Sequence, residues 1–82
     1  MVSERNDIYE RLRSLLADML GADEDEVTWE TNVYDDLNAD VIEFHDEVIP
    51  MIEEEFSVVI PDEDVPTLAN VSELVDYVAE NI

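Results

Sequence analysis

The chain has 82 residues, 46% of them hydrophobic, and carries 24 Asp and Glu against three Arg and no Lys, for a formal net charge of −21. That length predicts a single domain, 1–82, with one modest core, and the ordinary hydrophobic content excludes a disordered acidic tail. The charge excludes nucleic acid and anionic membranes as partners and favours basic protein surfaces, and the lack of cysteine removes disulfides, thiolate nucleophiles and zinc–sulfur sites.

The start, Met1 to Asp7, has neither the basic opening nor the apolar stretch of a signal peptide. No apolar run reaches the roughly 18–20 residues of a membrane span. A cytoplasmic, soluble monomer is expected. Residues 4–20 read as a helix: Ile8, Leu12, Leu15, Leu16 and Met19 form one stripe, Ser3 is placed to cap its start, and Gly21 to end it. Residues 22–40 read as a long loop that opens on the acid run 23–26. Its Trp29 and Tyr34 are expected to plug it onto the core.

Residues 41–56 read as a second helix with Val41, His45, Val48, Ile49, Ile52 and Phe56 facing inward. Pro50 sits inside it, so the helix is expected to kink or to start a new segment there. Val58 to Pro61 is an extended link, and Asp62 to Val65 a single helical turn ended by Pro66. A last helix follows over 70–81, with Asn70 as cap, Glu73 completing a capping box, and Val71, Leu74, Val75 and Val78 as its stripe. The fold class is all-α, a four-helix bundle of three main helices and one short one.

Several strings in this order resemble acyl carrier proteins over about residues 4–80. They are Leu20-Gly21 with the acid run and Val27-Thr28; Tyr34-Asp35-Asp36-Leu37-Asn38-Ala39-Asp40; Glu53-Glu54-Glu55-Phe56 followed by Ile60-Pro61-Asp62-Glu63; and Val71 to Val78. In that family the attachment motif is Asp-Ser-Leu, with 4'-phosphopantetheine on the serine oxygen. Here Asp40-Val41-Ile42 stands in its place. Counting from upstream puts Val41 at the serine position, and counting back from Phe56 puts Ile42 there, because the stretch is one residue longer. A hydrocarbon supplies no oxygen nucleophile, so 4'-phosphopantetheine is not expected at this vacant position. Asn38 replaces a glycine but tolerates a left-handed backbone, and a single-turn helical bulge would absorb both the extra residue and Pro50. These further departures favour a natural divergent member over an engineered single change.

The resemblance implies that acids on the second helix dock onto Arg/Lys patches of partner enzymes; the matching positions are Asp40, Glu43, Glu47, Glu53 and Glu54. Phe44, beside the attachment position and off the stripe, joins this partner-binding set if exposed. Ser3, Ser14, Ser57 and Ser72 all lie away from the junction. His45 lacks a nucleophile or an ordered acid partner and reads as packed or half-exposed, not catalytic. The acid run 23–26 and Asp35-Asp36 suit weak cation binding but not a specific metal site. No enzyme is expected. The expected function is an acidic interaction module for a fatty-acid or polyketide type enzyme. The alternative is a lipid-pathway carrier holding its acyl ligand noncovalently or at a relocated site.

Overall fold

The computed structural model describes residues 4–82. The first helix spans Glu4–Leu20 and buries Ile8, Leu12, Leu16 and Ala17, with Leu15 and Met19 half-buried at the edge of the stripe. Its expected cap, Ser3, lies outside the described residues. Gly21 ends the helix at φ 66°, the left-handed conformation a side chain would strain.

The long loop is pinned as its apolar spacing predicts. Val27, Val33, Leu37 and Ala39 are buried in the common core. Trp29 stacks on Tyr9 of the first helix at a centroid distance of 4.3 Å, and the Tyr9 hydroxyl donates to the Val27 carbonyl. Acids 24–26 form a short 3-10 turn, Glu24–Glu26. Thr31 is the buried polar residue here, and it donates to the Glu26 carbonyl at 3.0 Å.

The loop also caps the last helix, Val71–Asn81. The Val71 and Ser72 amides donate to the Thr31 and Trp29 carbonyls at 3.0 and 3.1 Å. These are two of the amides a helix start leaves without a partner. The expected side-chain cap by Asn70 is therefore absent. Asn70 instead accepts from Asn32 at 3.2 Å beside a lone backbone bridge between the same two residues. All four predicted stripe residues of this helix, Val71, Leu74, Val75 and Val78, are fully buried.

Residues 41–56 form one continuous second helix in three parts: an α turn Val41–Glu43, a π-helical segment Phe44–Val48, and an α segment Ile49–Phe56. The Ile49 amide bonds the Phe44 carbonyl, five residues back. This is the bulge that the extra residue and Pro50 require. It also re-phases the helix: the inward residues are Phe44, Val48, Ile49, Ile52 and Phe56, while Val41 is exposed and His45 half-exposed, contrary to the uniform-period reading. A π turn advances fewer degrees per residue, so everything before it rotates relative to everything after it. Pro50 falls in the first turn of the following α segment, where a missing amide is tolerated.

The second helix ends at Ser57, in left-handed geometry at φ 56°. The expected turn at Asp62–Val65 is present, closed by the Asp64 amide on the Pro61 carbonyl at 2.9 Å and the Val65 amide on the Asp62 carbonyl at 3.3 Å, and it runs on into a 3-10 turn Val65–Thr67 that contains Pro66 rather than ending at it. Proline suits the start of such a turn for the same reason it suits a helix start. Among the described residues the fold is all-α, with three main helices around one shared core and the short 3-10 turn Val65–Thr67 at the place of the expected short helix.

Candidate functional site

The junction between the long loop and the second helix is held from below. The Asn32 side chain accepts the Tyr34 and Asp35 amides at 2.9 and 3.0 Å, and Asp36 accepts the Asn32 amide at 2.8 Å. Asn38 then turns the chain at φ 58°, the left-handed conformation its side chain tolerates. Asp40 caps the helix, its carboxylate accepting the Ile42 amide at 3.0 Å. Val41 and Ile42 follow, 66% and 69% exposed. The position expected to be vacant is thus an outward-facing pair of hydrocarbon side chains, and residues 35–56 contain no Ser, Thr or Tyr.

Phe44 does not join the outer surface. It is fully buried and meets Tyr34 edge-on at 5.5 Å, so it is withdrawn from the partner-binding set. The π segment that begins at Phe44 turns it inward. Burial raises the Tyr34 phenol above its ordinary pKa.

Of the acids, Asp40, Glu47 and Glu54 are exposed and Glu43 is half-exposed. Glu53 differs: it is half-buried, and its carboxylate accepts the Ile60 amide at 2.7 Å, tying the helix to the extended link. No arginine reaches the outer face among the described contacts. Arg5 pairs with Asp76; Arg11 pairs with Glu55 at 2.7 Å and lies over the Phe56 ring; Arg13 bonds the Glu24 carbonyl at 2.7 Å.

Below Val41 lies an apolar hollow of about 400 Å³, lined by Tyr34, Val41, His45, Asp62, Val65 and Pro66. His45 spans its edge. Its Nε2 lies 3.0 Å from Asp62 and its Nδ1 3.2 Å from Asp46, so it has the acid partners it was expected to lack. The hydrogen bond to Asp62, then that to Asp46, raises the His45 pKa. Asp62 was missed as a partner, because nothing in a 17-residue separation marks it. There is still no nucleophile for His45 to activate at this junction.

Residues 10–78 match the family described as "Phosphopantetheine attachment site". The chain is 41% identical to the acyl carrier protein of Rubrobacter xylanophilus over 78 residues, covering 95% of each. This chain belongs to the acyl carrier protein family. It is also 38% identical to the acyl carrier protein of Clostridium perfringens strain 13, over 90% of this chain and 96% of that one. The solved acyl carrier protein of Enterococcus faecalis superposes with a TM-score of 0.81 at 32% identity, covering 95% of this chain and 98% of that chain. Members of this family are carriers rather than catalysts.

Membership corrects one expectation. The chain matches a family defined by phosphopantetheine attachment, so the group its family implies is 4'-phosphopantetheine, not the absence of one. The local residues are a separate matter. Val41 and Ile42 have the exposure that attachment needs but no hydroxyl oxygen, so neither fits as the ester acceptor.

Proposed function

We propose that this acyl carrier family member works by presenting the outer face of its second helix to a basic surface on enzymes of acyl-chain metabolism. The observation that carries this is the unbalanced charge of that face. Asp40, Glu43, Glu47 and Glu54 lie on it without a cationic partner among the described ion pairs, while each arginine is paired elsewhere. Uncompensated like charges cost stability, and they speed encounter with an oppositely charged surface. Glu53 belongs to the fold more than to the face, since its carboxylate is engaged by the Ile60 amide.

The test is calorimetric titration against an acyl-chain-elongating enzyme with a Lys/Arg-rich docking surface. Affinity should fall steeply with salt, and Glu47→Lys with Glu54→Lys should weaken binding at least tenfold. Unchanged affinity in the double variant would reject the reading.

The hollow beside Val41 favours a second reading, in which an apolar acyl ligand is held there without a covalent bond. Native mass spectrometry of the purified protein distinguishes the two. A fatty-acid adduct lost on substitution of Val65 by Asp supports noncovalent carriage, and a bare mass after incubation with fatty acid rejects it.

A further inference from the structure

A second groove lies on another side of the molecule, between the first and second helices. It has a volume of about 460 Å³, and its floor is Leu15 and Met19 from the first helix and Met51 from the second. None of Asp40, Glu43, Glu47, Glu53 and Glu54 lines it. Leu15 and Met19 are one helical turn apart and half-buried, and Met51 is 44% exposed. The rim carries Glu10, Asp18 and Glu55 against one cation, Arg11, whose charge Glu55 already holds at 2.7 Å. The groove is therefore an apolar strip inside a net negative frame. Two of its three floor side chains are unbranched thioethers that re-pack around different shapes.

We infer that this groove is a docking site for a cationic amphipathic helix of a partner protein. Such a helix offers apolar residues at i, i+3, i+4 and i+7, which match a strip two side chains long on one wall and one on the other. Its flanking Lys and Arg meet Glu10 and Asp18, the acids of the rim that have no ion pair among the described residues. A polar or anionic segment would leave Met51 and Leu15 wet and meet like charge.

The experiment uses the full chain with 13C-labelled methionine methyls, assigned by single Met→Leu substitutions. The probes are an amphipathic peptide of Leu and Lys and its sequence-scrambled isomer, titrated at moderate salt. The isomer has the same charge and composition but no apolar stripe. The Met19 and Met51 methyls should shift saturably with the amphipathic peptide, and it should bind at least tenfold more tightly than the isomer. Met51→Ser, an exposed change that leaves the charge intact, should weaken it at least tenfold. Equal binding of both peptides would overturn the site in favour of diffuse attraction to an acidic protein. Tight binding with both methyls unmoved would overturn it in favour of another face. Neither result depends on Glu47 or Glu54, so the site fails or stands apart from docking at the second helix's outer face.

Discussion

Ser57 holds a left-handed backbone at φ 56° without the amide side chain that lets Asn38 do so comfortably. That conformation costs a residue with a Cβ roughly 1–2 kcal/mol, and glycine avoids it at a smaller entropic cost. Ser57→Gly should therefore stabilise the fold by up to about 1 kcal/mol, read as a higher melting temperature. Gly21→Ala should do the reverse by a similar amount, although nothing crowds the added methyl. His45 gives a residue-scale pH effect. Its raised pKa comes from Asp62 and Asp46, so its contribution is complete below the ordinary histidine pKa of about 6.5. The contribution is lost as pH rises through the higher folded value. The wild type should exceed His45→Gln in melting temperature by more at pH 6 than at pH 8. An equal gap at both would show that the Asp62 contact adds nothing. Comparing variant with wild type cancels the titration of the many carboxylates.

At the scale of elements, the first and last helices were legible because each keeps one helical period from end to end. Ile8, Leu12 and Leu16, and Val71, Leu74, Val75 and Val78, are buried in the core, with Leu15 and Met19 half-buried at its edge. The second helix was legible in extent but not in facing. Its period changes at Phe44, so a single stripe drawn through it put Val41 and His45 inside and left Phe44 out. The signal that a bulge was needed, one extra residue together with Pro50, did not say which residues it would rotate. The loop's capping of the last helix was likewise not readable, because backbone carbonyls of Thr31 and Trp29 receive first-turn amides where the Asn70 side chain was expected to cap. Of the candidate site, the hydrocarbon character of Val41 and Ile42 and the places of the acids along the second helix were readable, but the exposure of Val41 was not, because the uniform stripe turned it inward. The engagement of Glu53 and the Asp62 contact were not, since both depend on how the link after Ser57 folds back. The re-phasing makes a direct prediction. Phe44→Ala should cost about 3–5 kcal/mol, as for a buried aromatic, while Val41→Ser and Ile42→Ser should change stability by no more than about 0.5 kcal/mol. Chemical denaturation of the three variants separates this arrangement from one with Phe44 outside.

At the scale of the molecule, charge opposes compactness. A net charge of −21 on 82 residues makes self-repulsion a standing cost. The melting temperature should rise between low and moderate salt, because screening weakens the repulsion among 24 acids more than it weakens the arginine ion pairs of the described residues. A melting temperature independent of salt would contradict this. No helix among the described residues is long and apolar enough to cross a membrane. The carbonyls of Trp29 and Thr31 that receive the Ser72 and Val71 amides carry one more consequence. The last helix cannot complete its first turn until the middle of the long loop is in place, and the loop cannot hold that position without the helix. The two stretches therefore open and close as one cooperative unit, and their amides will exchange with deuterium together, at a rate set by that shared opening rather than by the fraying of either alone.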